Sequence, residues 1–78
     1  MHAEYKKHQR VVLLTDPDKE YIEYDPDFEG AEVKKGMEGE INLVLPNGRY
    51  HVRVFNKKHE VIAYVLAEEE QIGPLEKI

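Results

Sequence analysis

The sequence contains no cysteine and no tryptophan among its 78 residues, and only two phenylalanines. Without cysteine the chain has no disulfide framework, no thiolate metal site, no iron–sulfur ligation and no thiol nucleophile. It also lacks an apolar run long enough to cross a membrane, and residues 1–8 lack the apolar core of a signal peptide. We therefore expect a soluble protein located in the cytoplasm.

A chain of this length forms one domain and buries only about 60 % of the surface that its unfolded form exposes. A two-domain enzyme with a cleft between its domains is therefore excluded. We expect a flexible N-terminus over residues 1–8 and a single folded domain over residues 9–78. Eleven Lys and Arg against sixteen Asp and Glu give a formal net charge of −5.

The negative charge is concentrated between Asp16 and Gly30, where seven acids accompany one lysine. Two Asp-Pro steps lie in this stretch, and each favours a bend because proline restricts the residue before it. Aromatic residues are interspersed among the acids. We predict a long acidic loop, a type of segment that is often functional or covers a sheet edge.

The rest of the sequence is typical of β-strands. Arg10–Thr15 is β-branched and apolar, which favours a strand buried on both faces. Asn47-Gly48 lies between two apolar runs and predicts a tight hairpin. Arg49–Phe55 alternates cleanly between apolar and polar residues, whereas Val61–Leu66 is apolar on both faces.

After these strands the sequence predicts one short helical turn at Glu68–Gln71 and a last short strand at Leu75–Ile78. The whole order predicts an all-β fold: a single SH3-like small barrel of about five strands. In it a long acidic loop follows the first strand and a short helical turn precedes the last. Closing a bent sheet on itself would protect the edges that an open sheet exposes.

Gly36, Met37 and Gly39 lie where the chain leaves the acidic loop and enters a strand. Glycine permits the positive φ angles or the close backbone approach that a sharp corner requires, and methionine fills irregular gaps. We interpret these three residues as an architectural corner.

The segment Lys35-Gly36-Met37-Glu38-Gly39-Glu40-Ile41 resembles the variable (alpha) chain of ferredoxin–thioredoxin reductase. The similarity includes an opening Arg-Val-Val strand, a polar loop with proline and a pair of tyrosines, and an acid-rich turn before the last strand. The sequence also resembles short bacterial SH3-like proteins of unknown function. Both resemblances extend from Arg10 to about Leu75.

The reductase resemblance implies a non-catalytic companion chain that buttresses a redox enzyme, because in that family the cluster and the redox cysteines belong to the other subunit. The acidic loop, which lacks the histidines found near the proline in that family, departs from the pattern. More broadly, we expect a protein-interaction or accessory subunit whose partner is another protein.

Two surfaces are candidates for binding. For a protein partner the candidate residues are the aromatics of the acidic loop and the outer side of the double-faced strand, namely Tyr21, Tyr24, Phe28, Ile62 and Tyr64. Alternatively, the loop itself covers that strand. A nucleic-acid-binding barrel is the other hypothesis, and it would use the basic hairpin residues Arg49, Arg53, Lys57 and Lys58.

Catalysis is not expected, because no nucleophile–base arrangement or phosphate-binding glycine loop is visible. The four histidines lack the spacing of a zinc site. A calcium loop starting at Asp16 would have Tyr21 where glycine is needed. We therefore predict no catalytic residue, metal or cofactor, and no membrane or small-molecule substrate as partner.

Overall fold

A computed structural model describes residues 5–75, which form an all-β structure, as the sequence predicts. Its six strands are β1 (Arg10–Leu13), β2 (Ile22–Tyr24), β3 (Glu38–Leu45), β4 (Arg49–Phe55), β5 (Val61–Glu68) and β6 (Ile72–Pro74). Single 3-10 turns occupy Lys19–Tyr21, Pro26–Phe28, Pro46–Gly48 and Glu69–Gln71. Within the described range, no helix has the length and apolar character needed to span a membrane.

All six strands belong to one antiparallel sheet with the order β2-β5-β4-β3-β1-β6. Strands β3, β4 and β5 follow one another as a meander. The turn between β3 and β4 contains Asn47 with φ 65° and Gly48 with φ 72°. This confirms the predicted hairpin, since asparagine and glycine are the residues that best tolerate positive φ.

The sheet has six strands rather than about five, because part of the acidic loop is itself a strand. In β2, Ile22 pairs with Val65 and Tyr24 with Ala63, so that the loop occupies the edge of β5. An exposed strand edge leaves backbone N–H and C=O groups without partners, and β2 supplies them. This part of the loop therefore lies beside β5 in the sheet.

The last described strand comes earlier in the chain than predicted. Ile72 and Gly73 are buried in β6, which pairs with β1. Pro74 ends the strand at the sheet edge, where its missing N–H costs no ladder hydrogen bond. The predicted strand at residues 75–78 lies largely outside the described residues, as do residues 1–4 of the predicted N-terminus. The 3-10 turn before β6 agrees with the predicted helical turn.

Strand β1 is buried on one face only, which corrects the expectation of burial on both. Val11 and Leu13 are buried, whereas Val12 is half-buried and Leu14 is 48 % exposed. An antiparallel sheet with one packed face leaves the other face to solvent. Apolar composition alone does not distinguish this arrangement from a strand buried on both sides.

The buried side chains of β1 and β3 to β6 form a single hydrophobic cluster together with Val33. Its members are Val11, Leu13, Val33, Ile41, Tyr50, Val52, Val54, Ile62, Ala63, Val65, Ala67 and Ile72. No α-helix is layered against the sheet within residues 5–75. The side chains of these strands and of Val33 therefore bury one another, which removes their apolar surface from water.

Strand β5 is apolar on both faces partly because it contains a bulge. The register between β4 and β5 shifts at Ile62, between the pairs Val54–Ala63 and Phe55–Val61. Both Ile62 and Ala63 are buried in the core cluster. A bulge places two consecutive residues opposite one partner and so changes the alternation of the side chains.

The corner before β3 uses glycine in two different ways. Gly36 has a φ of 94°, and its N–H donates to the Leu13 carbonyl oxygen at 2.8 Å. Gly39 is buried, and a Cβ atom there would lie 2.7 Å from both the Arg53 carbonyl oxygen and the Val52 Cγ1. The absence of a side chain lets β3 pair with β1 on one side and β4 on the other.

We expect Gly39→Ala to lower the free energy of unfolding by about 2 kcal/mol or more, because the added methyl group collides with backbone and a buried side chain. Gly73→Ala is the matched control. Its Cβ would meet only the flexible, exposed Leu14 side chain at 3.4 Å, so we expect a loss below about 1 kcal/mol. Urea unfolding of both variants measures the difference, and equal losses would contradict the role assigned to Gly39.

Tyr5 ties the start of the described chain to two strands. Its N–H donates to the Tyr50 hydroxyl oxygen at 3.2 Å, and its own hydroxyl donates to the Ile72 carbonyl oxygen at 3.4 Å. The two tyrosine rings meet edge to face at 5.5 Å. Burial, and to a smaller extent the Glu69 carboxylate and Tyr50, raises the pKa of Tyr5 above the usual 10.0.

The folded chain holds the Tyr5 proton more tightly than the unfolded chain does. The associated stability is therefore fully present below about pH 10 and is lost as the pH rises through the folded pKa. We expect the free energy of unfolding to fall more steeply above about pH 10 in the wild type than in Tyr5→Phe. Urea unfolding over this pH range provides the test, and parallel curves would contradict it.

Candidate functional site

The outer face of the sheet carries a row of polar side chains that hold one another. Arg53 lies opposite Glu40 on β3 and Tyr64 on β5. Its guanidinium donates to the Glu40 Oε1 at 3.2 Å and to the Asn42 Oδ1 at 2.8 Å. Its Cζ also lies 6.0 Å from the Tyr64 ring centroid. The guanidinium is therefore held in one orientation by a carboxylate, an amide and an aromatic ring.

The Arg53 contact determines the hydrogen bonding of His51. Because the Asn42 Oδ1 accepts from Arg53, the Asn42 amide nitrogen faces the His51 Nδ1 at 2.9 Å. An amide nitrogen only donates, so the Nδ1 accepts and the proton of the neutral ring resides on the Nε2. The His51 ring stacks on Tyr64, with centroids 5.2 Å apart and planes inclined by 10°.

Two adjoining hollows lie on this face, and we call them together the outer groove. One, of about 220 Å³, is lined by Glu20, Tyr21, Ile22, Glu23, His51, Tyr64 and Leu66. The other, of about 240 Å³, is lined by Asp18, Tyr21, Arg49, Leu66, Glu68 and Gln71. Both share Tyr21, which is 47 % exposed, and Leu66. The outer groove therefore offers apolar and aromatic surface bordered by carboxylates.

The acidic loop brings Tyr21 to the outer groove through a 3-10 turn. The Tyr21 N–H donates to the Asp18 carbonyl oxygen at 2.9 Å, which closes the turn directly before β2. Pairing of β2 with β5 then places Glu23 beside Tyr64. Three of the loop's seven acids, Asp18, Glu20 and Glu23, in this way line the groove.

Only two of the five residues predicted for a protein partner lie together at the surface. Tyr21 and Tyr64 both line the outer groove. Ile62 is 2 % exposed and belongs to the core, and Tyr24 and Phe28 are partly buried and packed against it. The direction of Tyr24 follows from its pairing with the inward-facing Ala63.

The four cations predicted for nucleic acid do not form one patch. Arg49 and Phe55 mark the ends of β4 and are about 20 Å apart, so that Arg49 is far from the turn with Lys57 and Lys58. Arg53 lies between them but is half-buried and paired with Glu40 at 3.2 Å. Pairing with a carboxylate reduces its capacity to attract phosphate.

Sequence reasoning missed a third hollow, of about 430 Å³, which we call the basic cleft. It is lined by Lys34, Lys35, Gly36, Met37, Glu38, Phe55, Asn56, Lys57 and His59. Its walls are the corner before β3 and the turn after β4. Two of the three Lys-Lys pairs of the sequence, Lys34-Lys35 and Lys57-Lys58, were its available signal, since one precedes β3 and the other follows the strand that pairs with it.

Residues 5–75 contain no group of three or more His, Asp or Glu side chains that could hold a metal ion. Comparisons of the chain with protein-family models, with curated proteins and with solved structures find no match. The functional assignment therefore depends on the geometry of the outer groove and the basic cleft.

The hydrogen bonds around Asn42 make a specific prediction for His51. At neutral pH its imidazole is expected to carry the proton on Nε2, because Nδ1 accepts from the Asn42 amide. Two-bond ¹H–¹⁵N correlation spectra distinguish the two tautomers. In Arg53→Lys the planar donor that orients Asn42 is lost, and we expect a mixture of tautomers. An Nδ1–H tautomer in the wild type would contradict the network.

Proposed function

We propose that the chain is an SH3-like barrel that acts as a non-catalytic protein-interaction or accessory subunit, with the outer groove as its binding surface. The order of elements supports the barrel: a long loop follows β1, a meander of three strands comes next, and a single 3-10 turn precedes β6. The single hydrophobic core formed by the strands of one sheet supports it as well.

The observation that carries the proposed function is the combination of surfaces in the outer groove. Tyr21 presents an exposed aromatic ring, and Leu66 lies beside it. Tyr64 and His51 form a stacked pair whose polar neighbours hold them in place. Aromatic residues fixed in a pocket are typical of the few positions that supply most of the binding energy at protein interfaces.

The charges of the groove indicate the chemistry of the partner. Asp18, Glu20, Glu23 and Glu68 border it, against the single cation Arg49. We infer that it binds a segment of another protein in which a Lys or Arg accompanies an apolar side chain. The carboxylates would attract the cation, while the aromatic surface buries its apolar neighbour.

The His51 tautomer adds a directional contact to this site. With Nδ1 occupied by Asn42, the Nε2–H is the remaining donor of the ring. In the proposed complex it donates to a carbonyl oxygen of the partner's backbone. A donor held by Asn42, Arg53 and Tyr64 loses little conformational freedom on binding, which favours affinity.

The resemblance to the reductase variable chain makes a cysteine-bearing redox subunit one form that the partner could take. The nucleic-acid hypothesis is less well supported, because its four cations are separated along the hairpin and Arg53 is paired with Glu40. The two hypotheses differ in the charge of the ligand. Binding of a basic peptide and binding of a polyanion can therefore be measured separately.

Selection of displayed random peptides against the wild-type chain tests the proposed function. We expect the selected peptides to combine Lys or Arg with apolar residues and to shift the amide signals of Tyr21, His51 and Leu66 in ¹⁵N spectra. Tyr21→Ala should weaken binding about ten-fold, as loss of an interface aromatic does. Replacing the basic residues of a selected peptide by Glu should abolish binding.

Leu14→Ala is the matched control. Leu14 is 48 % exposed, against 47 % for Tyr21, but it is not among the residues lining the outer groove. We expect it to leave peptide affinity unchanged. The proposal is overturned if Tyr21→Ala and Leu14→Ala weaken binding equally, or if the selected peptides lack basic residues. It is also overturned if the peptide shifts only signals at the other end of β4.

A further inference from the structure

The basic cleft lies at the opposite end of β4 from Arg49 and has a separate chemistry. Phe55 and Met37 provide apolar surface, and the side chains of Lys34, Lys35, Lys57 and His59 surround it. Its volume of about 430 Å³ is within the range of small-molecule sites, which is about 300–1,000 Å³. This combination fits a compact anion that has an apolar body.

Positive charge is concentrated there although the chain as a whole has a formal charge of −5. Among the described residues, neither Lys35 nor Lys57 has a carboxylate oxygen within 4.0 Å of its ammonium group. Lys34 lies 3.6 Å from the exposed Glu32. The Glu38 carboxylate, which also lines the cleft, lies 4.0 Å from Arg10. The ammonium groups of Lys35 and Lys57 are thus available to an anionic ligand.

One wall of the cleft is a tight turn organised by Asn56. Its Oδ1 accepts from the N–H groups of Lys58 and Glu60, both at 2.9 Å. Its side-chain nitrogen donates to the Glu60 Oε1 at 2.8 Å. The backbone closes with His59 N–H donating to the Asn56 carbonyl oxygen at 2.9 Å. These bonds hold Lys57 and His59 in place.

The opposite wall is anchored to the start of the acidic loop and to β1. The Lys35 N–H donates to the Asp16 Oδ1 at 2.8 Å, and the Gly36 N–H donates to the Leu13 carbonyl oxygen at 2.8 Å. Leu13 is bonded a second time to this wall, because its N–H donates to the Met37 carbonyl oxygen at 2.9 Å. Both walls are therefore built before a ligand arrives, which reduces the entropy cost of binding.

His59 brings an exposed aromatic ring to the cleft. The ring lies 6.4 Å from the Phe55 ring and lines the cleft. Its φ of 65° is one that histidine adopts more readily than most residues, and His8 has a φ of 74° in another turn. The cleft therefore combines an aromatic ring with lysine ammonium groups.

We propose that the basic cleft binds a nucleoside monophosphate or a phosphate ester of the same size and shape. Lysine binds phosphate as a point charge, whereas a carboxylate ligand is bound best by the planar, two-pronged guanidinium of arginine. Of the residues that the structure describes, lysines line the cleft and no arginine does, which favours a phosphate ligand. The flat heterocycle lies against Met37 and the exposed His59 ring, because Phe55 is only 9 % exposed and the Arg10 Cζ already lies 4.9 Å from its ring centroid. This site is independent of the outer groove and goes beyond the function proposed above.

A long nucleic acid fits this site less well than a mononucleotide. The chain repels a polyanion through its formal charge of −5, and Asp16, Glu32 and Glu38 lie close to the cleft. A ligand with one phosphate engages the lysines locally and meets fewer carboxylates than a long strand would. Binding should weaken at high salt, but with the shallow slope of one or two ion contacts.

Titration of the ¹⁵N-labelled chain with AMP, adenosine, inorganic phosphate and a short single-stranded oligonucleotide tests the proposal. We expect AMP to shift the signals of residues 34–38 and 55–59 and to leave Tyr21, Tyr64 and Leu66 unchanged. Adenosine and inorganic phosphate should each bind at least about ten-fold more weakly, because each lacks one half of the contacts.

Three variants separate binding from folding. Lys57→Gln should weaken AMP about ten-fold, whereas Lys58→Gln, one residue further and not among the lining residues, should leave it unchanged. His59→Asn should weaken AMP without lowering the Tm, since asparagine tolerates the positive φ and only the ring is lost. If His59 had only a structural role, His59→Asn would change the Tm and leave AMP affinity unchanged.

The proposal is overturned if millimolar AMP shifts no cleft signal, or if inorganic phosphate binds as tightly as AMP, which would indicate general attraction of anions to lysines. It is also overturned if Lys57→Gln and Lys58→Gln bind alike, or if the oligonucleotide binds more tightly than AMP. AMP binding is measured at the signals of residues 34–38 and 55–59, whereas peptide binding is measured at Tyr21 and Leu66. Failure of one proposal can therefore be distinguished from failure of the other.

Discussion

Burial of the apolar side chains on one face of a single antiparallel sheet is the constraint on which the rest of this structure depends. No α-helix covers the sheet within residues 5–75, so the side chains of the strands, together with Val33, make up the core. This requires β3 to pair on both sides, and the bare backbone of Gly39 allows the Arg53 carbonyl to approach where a Cβ atom would collide. The opposite face of the sheet is then left to water.

The polar side chains of that outer face form a continuous series of hydrogen bonds. Glu40 and Asn42 hold Arg53, Arg53 orients the Asn42 amide, and the amide determines which nitrogen of His51 carries the proton. The same strand, β4, also connects two surfaces of opposite charge. The outer groove near Arg49 is bordered by carboxylates, and the basic cleft beyond Phe55 is bordered by lysines. The two proposed binding sites therefore lie at opposite ends of β4.

Local sequence signals predicted the elements that depend on neighbouring residues. The hairpin at Asn47-Gly48 and the alternation of β4 are of this kind, because positive φ and a period of two are properties of short segments. The strand β2 was missed, since its formation depends on the unpaired edge of β5. Ile62 was assigned to the surface because the bulge that turns it inward leaves no mark in the periodicity.

By itself the sequence determined the all-β class, the glycine corner and the concentration of acids after β1, because backbone preference and charge are properties of the residues themselves. Only the tertiary structure decided which charged side chains meet. Strand pairing joins residues by register and not by their spacing along the chain. It therefore brings Lys35 to Lys57, separates Lys57 from Arg49, and places Tyr21 with Tyr64 while Tyr24 packs against the core.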